Sequence, residues 1–289
     1  ATSFKSVGSE IGPVVLRLGE NAGKDVFFYT KLCRMLRHAI QTEQVLEISA
    51  QRKWILAIIG RCMLPALCTS NQNVGLGAAL WDLLLVIPYN MRYQMYAEWK
   101  VNLYTKRQSL IAAKAEAQHR TKTVMKGLAK ENARQQGMKI AKLALSNPLV
   151  VFSTILNQLE RFDNMIIPVV DSFRNLSPLS FDVLAFCVLD KLSSPRVKFK
   201  EDGTNVAKWL QSLSVFAGTL FRRYPSVEHR GILQFVLNAL EEKSSVDLIF
   251  LKELVGSMSG ATVLDDLSAD QLQGRAGGQI LIFESAMTK

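Results

Sequence analysis

Apolar residues recur along most of this chain at the spacing of one helix face. Between positions 209 and 221 they occupy 209, 210, 213, 216, 217, 220 and 221, which is the pattern of a helix that buries one side. A rougher version covers positions 248–258. Strict alternation of apolar and polar residues, which would indicate half-buried strands, is scarce. The pattern predicts an all-α chain of about ten to thirteen helices joined by short connections.

Helix-starting residues mark several boundaries in this pattern. Asn147-Pro148 and Ser177-Pro178 each place a capping side chain before a proline at the first helical position, where the missing N–H costs nothing. We expect loops at residues 19–24, 69–73, 193–204 and 256–261. Successive antiparallel helices over this length favour an elongated α-solenoid, a HEAT-like stack, although no crisp sequence repeat is visible.

The longest apolar run covers residues 54–68. Arg61 and Pro65 interrupt this run, whereas a membrane-spanning helix needs about 20 residues with few charges. We therefore interpret the run as a buried helix pair and expect no membrane association. No secretory signal is visible at the start. Position 1 is Ala instead of Met, and we therefore expect a fragment of a longer protein.

The positive charge of the chain is concentrated in one segment. Residues 100–142 contain eleven Lys or Arg residues against Glu116 and Glu131, a net charge of +9 out of +10 for the whole chain. A localised cationic surface on a helical chain is typical of a protein that holds an acidic partner.

Part of this segment predicts an amphipathic helix with a cationic outer face, opposite the apolar residues Leu110, Val124, Met125 and Leu128. Three interpretations stay open for that face: a solvated helix surface, a surface for nucleic-acid phosphates, or a surface for an acidic partner protein. Few aromatic residues lie among the charges, so base stacking is poorly supported, and nucleic-acid binding would be sequence-independent and salt-sensitive. The candidate contact residues are Lys114, Arg120, Lys122, Lys126, Lys130 and Arg134.

An aromatic-rich stretch precedes the basic segment. Its helical spacing allows cation–π and aromatic packing within and between helices. Either the stretch packs at a helix junction or it anchors a partner protein. The residues concerned are Trp81, Tyr89, Arg92, Tyr93, Tyr96 and Trp99.

Catalytic and metal chemistry finds little support. The segment at residues 19–25 resembles a phosphate-binding loop, but it has one residue too few between its glycines, and Asp25 stands where a Ser or Thr would bind magnesium. The four cysteines form no CxxC pair and lie at no ligand spacing from a histidine. We interpret Asp163, Asp171 and Asp182 as caps or surface groups, and we expect no metal, no cofactor and no enzyme activity.

Several stretches together resemble a known family. They are LWDLLLVIPYNMRYQMYAEWK at 80–100, MKGLAKEN at 125–132, SNPLVVFSTILNQLERFDNMIIPVVDSF at 146–173, FDVLAFCVLDKLSSP at 181–195 and WLQSLSVFAGTLFRRYP at 209–225. In order and spacing they are similar to the second, largest subunit of the THO complex, over roughly residues 80–281. The resemblance divides the chain into an N-terminal helical segment (1–79), a helical scaffold domain (80–281) and a tail (282–289).

The resemblance implies a non-catalytic scaffold in the nucleus, within the TREX assembly that couples transcription to messenger-RNA packaging and export. Its expected partners are the other THO subunits and a DEAD-box RNA helicase, which a HEAT-like, MIF4G-like middle portion would hold, together with RNA through phosphate contacts. The family has no catalytic residues to carry over. A direct nucleic-acid-binding helical module stays the alternative interpretation.

Overall fold

A computed structural model describes residues 12–42, 49–200, 205–244 and 246–259, and these residues are all-α. Within them the only β-type pairing is an isolated antiparallel bridge between Phe199 and Val206. The all-α prediction is therefore confirmed. The α-helices are α1 (Gly12–Leu18), α2 (Val26–Thr42), α3 (Ser49–Ile58), α4 (Leu64–Thr69), α5 (Val74–Leu84), α6 (Tyr89–Glu98), α7 (Tyr104–Lys106), α8 (Gln108–Lys126), α9 (Ala133–Ser146), α10 (Pro148–Leu159), α11 (Ile166–Ser172), α12 (Pro178–Leu192), α13 (Lys208–Arg223), α14 (Arg230–Glu241) and α15 (Leu248–Ser259).

The apolar run at 54–68 forms one continuous helical run, so the predicted helix pair is wrong. A π-helical turn, Ile59–Met63, joins α3 to α4, whose second residue is Pro65. The wider turn accommodates the proline, which has no N–H to donate, without ending the helix. Among the described residues no helix is both long and apolar enough to cross a membrane.

The two predicted proline-containing caps have different outcomes. Ser177 Oγ accepts a hydrogen bond from the Ser180 backbone N–H at 3.2 Å, as predicted. Asn147 precedes α10 but makes no side-chain cap. Its Oδ1 accepts a hydrogen bond from the Tyr104 hydroxyl at 3.2 Å instead, because this asparagine is buried beside a tyrosine that needs an acceptor.

Two of the expected loops contain helical structure. Residues Gly19–Lys24 form a 3₁₀ turn, and α15 continues through Gly256 to Ser259. Gly256 has a low helix propensity, but α15 stays helical through it because the helix packs closely on α13. The contact is so close that a Cβ built on Gly218 of α13 would lie 2.8 Å from the Glu253 carbonyl oxygen of α15. Residues 70–73 and 193–200 are non-helical as expected. Residues 201–204, 260–261 and the tail at 282–289 lie outside the described residues.

From α8 onward the helices pack in two rows, each helix contacting the next but one along the chain. One row contains α8, α10, α12 and α14, and the other contains α9, α11, α13 and α15. Where α9 crosses α11 the backbones touch, because a Cβ on Gly137 would lie 2.2 Å from the Ser172 carbonyl oxygen. A single buried cluster extends from Val15 to Leu254. Helix α5 crosses position 79, where we expected the N-terminal segment to end.

Candidate interaction surfaces

A buried ion pair joins α6 to α12. The Arg92 Nε donates to Asp182 Oδ2 at 2.9 Å and its Nη2 donates to Oδ1 at 2.8 Å, while the two side chains are only 8% and 2% exposed. Arg92 Nη1 donates to the Ile87 carbonyl, and the Tyr96 hydroxyl donates to Asp182 Oδ2, each at 2.8 Å. Desolvation alone would lower the pKa of Arg92, but the hydrogen bonds and charge of Asp182 raise it. The pair is held by two forked, charge-assisted hydrogen bonds.

The interpretation of Asp182 as a cap or surface group is therefore wrong. The residue follows Phe181 near the start of α12 and points into the core, where the guanidinium of Arg92 compensates the buried carboxylate. The sequence held a signal for this arrangement, because a lone acidic residue inside an apolar run requires a buried partner. A second ion pair, between Lys100 and Asp190, joins the same stretch of chain to α12.

The aromatic residues of α6 and its continuation divide by burial. Tyr93, Tyr96 and Trp99 are buried. The rings of Tyr93 and Tyr96 both meet Phe186 edge to face, with centroids 5.5 and 5.7 Å apart, and Trp99 stacks on Tyr104. These three side chains pack at the helix junction and present no surface to a partner.

Trp81 and Tyr89 are half-buried and line an open groove of about 880 Å³ between α5, α12 and residues 225–230. The Arg92 guanidinium lies 5.7 Å from the Trp81 ring centroid. A partner contact through Trp81 and Tyr89 stays a prediction.

The cations of segment 100–142 differ in how well they are compensated. Lys100, Arg107 and Arg120 pair with carboxylates, those of Asp190, Glu20 and Glu116. Lys114 is half-buried, and its Nζ lies 5.9 Å from the Tyr104 ring centroid. The other candidate contact residues are exposed and make no ion pair with the described residues; they are Lys122, Lys126, Lys130 and Arg134.

The exposed cations of α8 lie on two flanks. Arg120 and Lys122 are two positions apart on a helix that turns about 100° per residue, so they project toward nearly opposite sides. Arg120 faces α9 and lines a groove with Lys139 and Lys142, while Lys122 shares the other flank with Lys126. Lys139 and Lys142 were counted in the charged segment but not among the candidate contact residues. Only the packing of α9 against α8 brings them to Arg120.

The remaining candidate chemistry has structural explanations. Asp25 Oδ1 accepts hydrogen bonds from the backbone N–H groups of Phe27 and Phe28, so the loop that resembles a phosphate site begins α2. The described residues contain no group of three His, Cys, Asp or Glu side chains that could hold a metal ion. Burial raises the pKa of all four thiols, which reduces their reactivity. The values are about 11 for Cys62 and about 12 for Cys33, Cys68 and Cys187.

Comparison with known proteins gives consistent matches. A family model described as the THO complex subunit 2 N-terminus matches residues 4–138, and one described as a transcription- and export-related complex subunit matches residues 140–214. THO complex subunit 2 of Homo sapiens is 34% identical over 290 residues, which cover 97% of this chain and 18% of that protein. The Arabidopsis thaliana protein of the same name is 34% identical over 98% of the chain and 16% of its own length.

A more distant relative, THO complex subunit 2 of Saccharomyces cerevisiae, is 26% identical over 76% of this chain and 14% of its own length. The chain thus spans less than one fifth of the curated relatives that it matches. The matches extend upstream of residue 80, and the ion pair of Arg92 with Asp182 connects the two segments that the family models cover. Since both models and the relatives agree, the chain belongs to the THO complex subunit 2 family.

Proposed function

We propose that this chain is part of a non-catalytic helical scaffold of the THO complex, which acts in the nucleus and couples transcription to messenger-RNA packaging and export. The observation that carries the proposal is the similarity, over almost the whole chain, to proteins named THO complex subunit 2. The proposed partners are the other THO subunits. A structural role also fits the raised thiol pKa values and the use of Asp182 in a buried ion pair.

The packing of the helices supports a HEAT-like, MIF4G-like solenoid for the scaffold. In a solenoid each element contacts its near neighbours in the chain, and one face stays available over the full length of the stack. The two rows from α8 to α15 follow this rule, since each helix contacts the next but one. Such a stack offers binding surface without contributing chemistry.

Co-purification of the other THO subunits tests the scaffold proposal. The full-length protein, tagged and purified from nuclease-treated nuclear extract, should bring the other THO subunits with it when the complex is analysed by mass spectrometry. Nuclease treatment matters because RNA could otherwise tether unrelated proteins. Purified protein without any THO subunit would contradict the scaffold proposal.

The exposed cations at positions 122–134 support a second part of the proposal, contact with a DEAD-box RNA helicase or with RNA. Reversal of this charge separates the two partners. If this surface binds the helicase, the charge-reversed variant should associate with the helicase more slowly, even in the absence of RNA. If RNA is bound, the helicase should stay attached and only salt-dependent RNA retention should fall. The variant combines Lys122→Glu, Lys126→Glu, Lys130→Glu and Arg134→Glu.

A control variant with the same change in net charge separates the effect of total charge from the effect of this particular surface. It reverses four exposed cations on or just before α2: Lys24, Lys31, Arg34 and Arg37. Equal effects of both variants would show that net charge, and not this surface, determines binding. If neither variant changes helicase or RNA binding, the cations at 122–134 are solvated surface and this second part of the proposal is refuted.

The alternative function is a direct nucleic-acid-binding module. The net charge of +9 in residues 100–142 favours it. Binding would then depend steeply on salt and would not require THO subunits. If about six phosphates are contacted, the RNA affinity of the isolated protein should fall by roughly 10³-fold between about 50 and 200 mM salt.

A further inference from the structure

A surface groove of about 450 Å³ lies between α8 and α9. Val124 and Leu143 form apolar parts of its lining, and Lys139, Lys142 and Arg120 supply cations around them. Lys139 and Lys142 are exposed and form no ion pair within the described residues. The groove therefore combines an apolar lining with a positive rim.

The groove adjoins a smaller cavity of about 230 Å³ whose lining is mostly polar. Gln72, Arg120 and Leu143 line both spaces. Asn147 lies in the wall of the smaller cavity and is only 5% exposed. Its amide nitrogen donates one hydrogen bond, to Ser146 Oγ at 3.3 Å. An amide has two N–H donors, and this nitrogen makes no second hydrogen bond among the described residues.

The turn that borders both spaces has an unusual backbone. Asn71 and Gln72 are consecutive non-glycine residues with φ values of 49° and 62°. Left-handed conformations are unfavourable for such residues and persist where the surrounding structure holds them, often beside ligand sites. Here they place Gln72 at the junction of the two spaces.

The residues that line the two spaces favour an acidic peptide over a nucleic acid as the bound partner. An apolar lining contributes nothing to phosphate binding but fits an apolar side chain of a peptide. No Phe, Tyr or Trp side chain lines either space, so bases could stack only on the His119 imidazole and the Arg120 guanidinium. A peptide backbone, in contrast, has carbonyl groups that can accept from the free donor of Asn147.

We propose that the α8–α9 groove binds an acidic linear segment of a partner protein. An apolar side chain of the segment packs on Val124 and Leu143, its carboxylates meet Lys139 and Lys142, and a backbone carbonyl accepts from Asn147. The proposal deepens the scaffold function and rests on it, because a scaffold of the THO complex holds its partners through such surfaces.

The test uses the full-length protein assembled with its THO partners. The photo-cross-linking amino acid p-benzoylphenylalanine replaces Thr123, an exposed residue that lines the groove. After irradiation and nuclease digestion, mass spectrometry should map the cross-link to a segment with net negative charge in another protein. The variant Lys139→Glu/Lys142→Glu should lower the cross-link yield about tenfold, since both attractions become repulsions.

The matched control is Lys31→Glu/Arg34→Glu, which changes the charge equally on the exposed side of α2 and should lower the yield less than about twofold, because exposed charges beyond a Debye length are screened. Cross-links to RNA, to this chain itself or to a segment without net negative charge would overturn the proposal, as would equal losses in both variants. Complete absence of a cross-link while THO subunits are present refutes the groove alone. Absence of the THO subunits from the unmodified protein refutes the scaffold function.

Discussion

Removal of the buried carboxylate at position 182 should strongly destabilise the protein. Asp182→Ala leaves the Arg92 guanidinium in the core without its two hydrogen bonds to the carboxylate and leaves the Tyr96 hydroxyl without an acceptor. Because the two charged side chains are only 8% and 2% exposed, bulk water compensates little of the lost interaction. Breaking a buried pair from one side costs about 3–5 kcal/mol, and the orphaned hydroxyl adds about 1 kcal/mol.

Urea denaturation followed by circular dichroism measures this loss, because urea is uncharged and does not screen the ion pair. Since a folded domain is stable by only about 5–15 kcal/mol, the variant should unfold at a much lower urea concentration. The matched surface variant is Glu116→Ala. It removes the exposed pair with Arg120, whose side chains are 62% and 56% exposed, and should cost about 0.5 kcal/mol or less.

The double variant Arg92→Leu/Asp182→Leu separates loss of the pair from the penalty of an uncompensated charge. With both charges absent, no buried ion remains unpaired, so the double variant should be more stable than Asp182→Ala, by roughly 2 kcal/mol. Our reasoning is refuted if Asp182→Ala costs no more than Glu116→Ala, or if the double variant loses as much stability as the sum of its single variants.

Three further predictions concern packing, acid and thiol chemistry. Gly137→Ala should lower the free energy of unfolding, measured by urea denaturation, by about 2–3 kcal/mol, because the new Cβ would meet the Ser172 carbonyl oxygen at 2.2 Å. The control Gly77→Ala, whose Cβ meets nothing within 4 Å, should raise it by about 0.5–1 kcal/mol. Equal effects of the two substitutions would contradict this packing argument. Burial raises the pKa of Glu20, but its hydrogen bonds and the charge of Arg107 lower the pKa by more, so the net pKa lies below 4.5. The stabilisation by Glu20 is therefore complete above the unfolded-state pKa and is lost as the pH falls through the folded-state pKa. Glu20→Gln should therefore flatten the decrease in urea midpoint below about pH 4.5, and an unchanged acid limb would disprove this contribution. The thiols should react with Ellman's reagent at pH 8 only after unfolding, since burial raises their pKa; fast labelling of the folded chain would contradict this for Cys33, Cys62, Cys68 or Cys187.

Local features of the fold were predictable from sequence because they depend on neighbouring residues. The helical period and the Ser177 cap involve residues at most a few positions apart, and the structure agrees with both. The Asn147 cap failed because a distant residue, Tyr104, competes for the same side chain. The pairing of helices into two rows is also non-local, and no periodic pattern specifies which helix lies beside which.

The candidate surfaces show the same limit. The segment charge could be counted directly, but not the compensation of Arg107 by Glu20, 87 positions away, or of Lys100 by Asp190, 90 positions away. With these two external carboxylates, the net charge of +9 over residues 100–142 becomes +7. The uncompensated charge therefore lies mainly on α8, α9 and their connection.

This distribution separates folding from binding in the molecule. The charges that hold the fold together are buried or paired across distant elements, as Arg92 is with Asp182 and Arg107 is with Glu20. Five cations of α8 and α9 are exposed and do not pair with the described carboxylates; they are Lys122, Lys126, Arg134, Lys139 and Lys142. Exposed substitutions usually change stability by about 0.5 kcal/mol or less. Reversal of charge on either flank of α8 should therefore leave the fold intact, so a loss of binding in such a variant identifies the flank that the partner contacts.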